Sequence, residues 1–477
     1  MSAPFVAIGG DAAGLSAASK CKREDPDRDV IVFEKGSWVS YSHCGMPYFV
    51  KGEIERLDDL LSLSPAEIEE RGIDLRRGHE VVGIDTSERV VTVETDEGDR
   101  LEQPYGDLLI GTGARAVTDP IEGSGLDGVH TMHGLDSAAA VRAHLLDPST
   151  DAVADVGGEG FVDRELVERY GAMEPPETVA IVGGGYVGIE MAEAFATNGL
   201  DVHLFQRGEH VLPPFGEAVA EVVEDELEAQ GVALHLGEEV ARLDGDDGRV
   251  ERLVCTGGAT LELDTALVGI GIRPNTDFLD ETPVETGVAD AVAVDDHGRT
   301  NVDGVYAAGD CATMRHAVTG EPDWVPLGLT ANRAGRAIGA TVAGDPTPVG
   351  DIAGTAVVKA FEQECGRAGI VDHEAAREAG FDPVSETVTA GSRSGYYPGA
   401  AETTVTLVAD RESGRLLGGT IVGTDRAAIR IDIVAMALEQ DATVGELERS
   451  DLAYAPPFSP VWDPVLTAAK VLNGSVE

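Results

Sequence analysis

Short apolar runs closing on glycine dominate the pattern of this chain. Residues 5–9 predict a buried strand, Gly9-Gly10-Asp11-Ala12-Ala13-Gly14 a tight turn, and the stretch to about Glu24 a helix. A second apolar strand at 30–33 ends at Glu34. Strand, glycine turn, helix, strand and then an acid about 20 residues on is the pattern that holds a dinucleotide, with pyrophosphate on the helix N-terminus and the acid on a ribose hydroxyl. Asp11 stands where the middle glycine belongs. An acid facing pyrophosphate is unfavourable, so its side chain is expected to turn outward. The pattern returns complete in Val179-Ala180-Ile181-Val182-Gly183-Gly184-Gly185-Tyr186-Val187-Gly188, which opens a helix over 189–198 and leads to a strand at 202–205. One such motif is weak; two, each in strand-turn-helix context, predict two dinucleotide sites.

The remaining periodicity places the other pieces. Amphipathic stretches around 58–71 precede an alternating strand at 90–95, and a buried strand at 108–110 runs into Gly111-Thr112-Gly113-Ala114. Leu267-Val268-Gly269-Ile270-Gly271-Ile272 closes the second unit, and residues 300–310, ending Ala308-Gly309-Asp310, return to the first. The predicted fold is α/β: two Rossmann-like units, 1–118 with 299–345 and 119–298, then an α+β unit at 350–477 beyond a Gly/Pro-rich linker. That last unit is expected to hold strands at 355–359 and 403–408 and a helix at 429–439. Residues 147–178 read as an irregular, solvated insertion, since nine acids there face only Arg164 and Arg169.

Composition narrows the setting. No run of 18 apolar residues suggests a membrane span, and the N-terminus lacks the basic region of a signal peptide. Five cysteines without metal-ligand spacing suit a reducing compartment, so the cytoplasm is expected. The 35 basic and 86 acidic residues give a net charge of −51, and only six of the basic residues are lysine. Acid dispersed through foldable sequence points to life in concentrated salt, where the Debye length falls to about 3 Å at 1 M. The same charge argues against nucleic-acid binding.

The chemistry centres on Ser40-Tyr41-Ser42-His43-Cys44-Gly45-Met46-Pro47-Tyr48-Phe49, where a strand hands over to a Pro-primed helix start. A cysteine there gains from unpaired N–H groups that favour thiolate. His43 beside it is a candidate thiolate stabiliser, the alternative being an ordinary loop residue. After the second motif the acid is missing, and Gln206-Arg207 stand in its place. A neutral residue and an arginine remove the repulsion a 2′-phosphate would meet, which favours NADPH over NADH.

With these pieces in place, the chain resembles the pyridine nucleotide–disulfide oxidoreductase family of flavoproteins. It is closest to the branch of coenzyme A disulfide reductases, NAD(P)H oxidases and polysulfide reductases. The resemblance rests on Cys44-Gly45-Met46-Pro47-Tyr48, both glycine motifs, residues 300–310, Val325-Pro326-Leu327-Gly328, Tyr396-Tyr397-Pro398-Gly399 and Tyr454-Ala455-Pro456-Pro457-Phe458. It implies FAD on Gly9, Gly14, Glu34, Lys35, Thr112, Gly113 and Asp310. NAD(P)H falls to Gly183, Gly185, Gly188, Gln206, Arg207 and Gly271. The C-terminal unit would form a homodimer whose subunits complete each other's active sites, with Tyr454, Tyr396 and Tyr397 protonating or orienting a leaving sulfur across the interface.

Subtype follows from what is present and missing. Two-cysteine members carry a second cysteine five residues on; here that place is Phe49. Oxygen- and peroxide-reducing relatives place a histidine in the first glycine turn; here it is Ala12. Cys21 falls mid-helix and reads as core. A lone active cysteine must bond something external, and the resemblance implies coenzyme A disulfide reduced through a Cys44–S–S–CoA mixed disulfide, with CoA as bound thiol. Ser16, Lys20, Arg23 and Ser40 fall where the family grips CoA, and the substrate set extends to His43 and Asn332. His43 and Asn332 stand where the branch has Asn and His, and Trp462 replaces a Lys. Polysulfide or persulfide reduction and NAD(P)H oxidation are the alternatives using the same cysteine. An electron-transfer reductase serving a protein would need no cysteine at all.

Overall fold

The computed structural model describes residues 3–150, 152–156 and 161–476. Two parallel five-stranded sheets form the nucleotide-binding halves. In the first, Phe5–Ile8 lies at the centre between Asp107–Ile110 and Val30–Glu34, with Val305–Ala307 and Asp74–Arg77 outside them. The central strand is buried on both faces, as the unbroken apolar run requires. The second sheet repeats the plan around Thr178–Val182, flanked by Asp201–Gln206 and Thr265–Val268 and bounded by Ala233–Leu236 and Val129–His130. Each half also carries a three-stranded antiparallel sheet. By Leu279, Val284 and Val292 the chain has returned to the core beneath the first sheet.

The helix Ala12–Glu24 packs against Gly328–Val342 so closely that a Cβ on Gly335 or Gly339 would stand 2.3 Å from the carbonyls of Ala13 or Ala17. Only glycine permits this approach, and it fixes where the N-terminus of the second helix points. The C-terminal unit is a five-stranded antiparallel sheet, ordered Ala356–Ala360, Gln363–Gly369, Leu416–Gly423, Glu402–Asp410, Pro383–Gly391, with the helices Ile431–Glu439 and Pro464–Asn473 packed on it.

The 147–178 insertion is less irregular than its charge suggested. Within it, Arg164–Gly171 is a helix capped by Asp163, whose carboxylate accepts the Leu166 N–H, and it buries Val167 and Tyr170. Those two apolar positions, three apart, give it an inner face that packs on Leu135–His144. Residues 151 and 157–160 of the insertion lie outside the described residues.

Candidate active site

The first glycine turn is shaped by contacts that tolerate no side chain. Gly9 takes φ +108°, and a Cβ on Gly14 would lie 1.9 Å from the Gly9 carbonyl. Gly183 (φ +112°) and Gly188 repeat both constraints in the second unit. Glu34 accepts the N–H groups of Gly10 at 2.8 Å and Gly36 at 2.7 Å, which ties the acid at the end of the second strand to the turn. Gln206 does the same for Gly184 at 3.1 Å, as a neutral counterpart. Arg207 next to it is exposed.

Both turns open on one cavity of about 3010 Å³. Its wall includes Lys35, Thr112, Gly113, Gly271 and Asp310 with the two motifs, and on the same wall sits Cys44. Thr112 donates its hydroxyl to the Asn275 carbonyl at 2.7 Å, which closes the seam between the units. Gly113 and Gly271 both have positive φ.

Cys44 lies in a 3-10 turn, His43–Gly45, one step before the helix Met46–Lys51, which has Pro47 in its first turn and ends at Gly52 with φ +96°. Met46, Phe49 and Val50 insert into a core shared with Leu135–His144, Tyr186–Thr197 and the C-terminal strand residues Val358 and Ala360. Arg142 donates to the Phe49 carbonyl and lies over the Phe49 ring. All three units therefore clamp the cysteine's helix. Of the five free cysteines Cys44 alone is exposed, and Cys21 is core, with its thiol pushed up to about 11 by burial.

The electrostatics differ from the expected simple helix-terminus effect. Burial pushes the Cys44 thiol up, and Glu190 and Asp310 add to this against one opposing backbone N–H. Asp11 does not turn outward. Its carboxylate bends across the turn to the Tyr41 N–H at 3.2 Å and to His43 Nε2 at 2.6 Å. The outward path is unnecessary because His43 is within hydrogen-bond reach. The Asp310 carboxyl is raised by burial, with His43 opposing and Asp11 adding.

The residues expected to hold substrate all line the same cavity. Ser16 donates to Asn332 Oδ1 at 2.7 Å, joining the two packed helices. Lys20 pairs with Glu24 at 2.5 Å, Arg23 is on the rim, and Ser40 adopts φ +54°. Tyr396, Tyr397 and Tyr454 are absent from this cavity within one chain and are exposed on the C-terminal unit, at 81, 36 and 61%.

Glu190, Glu193 and Arg71 carry no motif. Tyr48 donates to Glu190 at 3.1 Å, and burial holds Glu190 up at about 7. Glu193, one helical turn on, accepts from Lys51 at 2.6 Å, Lys359 at 3.0 Å and the Phe361 N–H at 2.8 Å. Arg71 reaches Ser19 near the substrate rim. The i, i+3 spacing of Glu190 and Glu193 on an otherwise apolar helix was the one signal available in the sequence.

The residues fit a flavin dinucleotide. The glycine turn admits a close pyrophosphate, Glu34 stands at the end of the adjacent strand, and the half-buried Asp310 lines the cavity with no side-chain hydrogen bond among the described residues. A polyol chain would supply such a bond.

Comparison with known proteins agrees with this geometry. The family model described as pyridine nucleotide-disulphide oxidoreductase matches residues 4–328, and its dimerisation domain matches 355–464. The chain is 38% identical, over 99% of both chains, to an NAD(P)H coenzyme A polysulfide/persulfide reductase of Pyrococcus horikoshii. It is 27% identical, over 95% of this chain and 96% of the other, to a coenzyme A disulfide reductase of Staphylococcus haemolyticus. An NAD-dependent persulfide reductase from A. fulgidus superposes with a TM-score of 0.88 at 31% identity, covering 99% of this chain and 83% of that one.

Proposed function

The chain belongs to the pyridine nucleotide-disulphide oxidoreductase family, and from that premise we propose that it reduces the sulfur–sulfur bond of a coenzyme A-linked substrate with NADPH, through Cys44. The observation that carries this reading is that Cys44 is the only exposed cysteine and lines the cavity both glycine turns share, with no second cysteine bonded to it. The thiolate attacks CoA disulfide, forms Cys44–S–S–CoA and releases one CoA thiol. Two electrons from NADPH and a proton then return Cys44 and the second CoA thiol. FAD, when bound, supplies the passage of those electrons from nicotinamide to sulfur. Gly9, Gly14, Glu34, Lys35, Thr112, Gly113 and Asp310 would hold it, and Gln206 with Arg207 would receive the 2′-phosphate of NADPH.

Ser16, Lys20, Arg23, Ser40 and Asn332 are the CoA contacts in this reading, because they line the cavity that also holds Cys44, and Lys20 and Arg23 bring scarce positive charge to it. A homodimer is part of the proposal. The exposed Tyr396, Tyr454, Phe458 and Trp462 of the dimerisation domain form apolar surface that a second copy would cover, bringing the tyrosines to the partner's cysteine. Among the described residues no helix is long and apolar enough to cross a membrane. Five unpaired cysteines favour work in the cytoplasm.

A second reading, reduction of a CoA persulfide or polysulfide, is favoured by the name of the 38% identical relative. Mass spectrometry of the non-reduced protein separates the two. A CoA adduct on Cys44 supports disulfide reduction, added sulfur atoms support the second reading, and an unmodified thiol with no turnover of either substrate overturns both.

A further inference from the structure

The second glycine turn shows what the middle position of such a turn faces. A Cβ on Gly185 would meet nothing within 4 Å, because the position opens into the cavity where the coenzyme's phosphates belong. Asp11 holds the equivalent position in the first turn and lines the same cavity. A carboxylate there would repel a pyrophosphate, yet it is met at 2.6 Å by His43. We propose that Asp11 and His43 form a charge-compensated pair replacing the missing glycine, so that retention of FAD in this protein depends on the proton carried by His43. The inference rests on the reading above only in that the first unit holds FAD.

The surroundings of His43 favour that proton. Burial alone would lower its affinity, but the Asp11 carboxylate, Asp310 from the turn after Val305–Ala307 and a backbone hydrogen bond to His133 together raise it. The remaining neighbours are uncharged partners. Tyr41 stacks on the ring at 4.2 Å, the His133 ring lies 6.3 Å away with its proton affinity lowered by burial, and Cys44 follows in the chain. Both protons of the imidazolium are thus directed at acceptors, and the pair is neutral. When pH rises through the raised pKa the proton is lost and Asp11 remains as an uncompensated negative charge beside the pyrophosphate. Affinity for FAD is therefore complete on the acid side and falls on the alkaline side.

Release of flavin from the holoenzyme, read by fluorescence at constant high salt from about pH 6 to about pH 9, tests this. Wild type, and a Cys44→Ser protein in which no thiolate forms, should show an apparent dissociation constant rising about tenfold across the range. His43→Ala should release FAD about tenfold more readily at the acid end and lose the slope. Asp11→Gly should hold FAD at every pH, and adding it to His43→Ala should restore retention. A double variant no better than His43→Ala, or a slope surviving in Asp11→Gly, overturns the pair. A protein isolated without flavin overturns the reading above as well, whereas a flavin-loaded protein with a flat profile overturns the pair alone.

Discussion

Tyr48, on the helix that follows Cys44, donates its hydroxyl hydrogen to Glu190, on the helix that the second glycine turn opens. This bond joins the segment that carries Cys44 to the second glycine-turn unit across the shared cavity. Burial raises Glu190 to about 7, Tyr48 opposes, and Glu193 adds. The carboxyl is therefore mostly neutral below pH 7 and charged above it, and its charge pushes the Cys44 thiol up. Glu190→Gln should let the thiolate form at lower pH and speed alkylation of Cys44 near neutrality by about threefold or more. Mass-spectrometric alkylation rates across pH check this, and an unchanged profile would remove Glu190 from the thiol's environment.

The proposed preference for NADPH turns on Gln206 and Arg207. Gln206 copies the tie that Glu34 makes to its own glycine turn but without charge, and Arg207 beside it is exposed at the rim of the shared cavity. Arg207→Ala should raise the KM for NADPH about tenfold and leave that for NADH within about twofold. Gln206→Glu should disfavour NADPH and improve NADH. Steady-state kinetics with both coenzymes decide the matter, and equal losses with both would show that Arg207 reads no phosphate.

Much of this was legible beforehand because glycine spacing and short apolar strands are local signals. The turns at Gly9 and Gly183, the strands they follow and the lone cysteine could all be placed from neighbouring residues. The path of Asp11 could not, since it depends on His43, 32 positions away and brought close only by folding. The helix Arg164–Gly171 was hidden because its charged outer face outweighs two inward apolar residues. Glu190 and Glu193 were missed for the opposite reason: a mostly apolar helix reads as core, and their partners come from other units.

Behind that insertion helix, His130 and His144 face each other at 3.3 Å with Tyr170 against both. Burial lowers His130 to about 3, with His144 and Arg169 adding, and it lowers His144 to about 4. An unfolded histidine titrates near about 6.5. Below that value the unfolded chain takes up protons that the folded chain refuses, so stability is full above about pH 6.5 and is lost as pH falls toward 4. Replacing both residues, His130→Gln with His144→Leu, should flatten this acid dependence by on the order of 3 kcal/mol. Denaturant midpoints at several pH values, compared with wild type, give the answer. Parallel acid curves would show that the pair is not the source.

Glu193 ties three units together with a side chain 6% exposed, holding Lys51, Lys359 and the Phe361 N–H. Burial would raise its pKa, yet these three partners lower it on balance, so the site is built around the charge. Glu193→Ala leaves Lys51, 13% exposed, without its buried partner, and should cost about 3–5 kcal/mol. Glu193→Gln keeps an acceptor for Phe361 and should cost less. The loss should appear in a lowered denaturant midpoint. Because the helix Met46–Lys51 ends at this junction, turnover should fall further than substrate affinity. A variant as stable as wild type would mean the tie is redundant.

The charge of −51 sets a last expectation. The few lysines are largely engaged: Lys51 and Lys359 with Glu193, Lys20 with Glu24, Lys22 with the carbonyls of Pro26 and Arg28, and Lys470 over the Trp462 ring. With 35 basic against 86 acidic residues the cations are too few to offset the carboxylates, so their mutual repulsion must be screened by dissolved salt. At about 1 M the screening length is about 3 Å, and it lengthens to about 30 Å at 0.01 M. Removing salt should therefore lower the unfolding temperature progressively and loosen the contact between units before the sheets themselves unfold. Scanning calorimetry with protease sensitivity, from about 3 M to about 0.05 M salt, follows both changes. An unfolding temperature and activity that survive desalting would mean that the folded chain bears its own charge without help from the solvent.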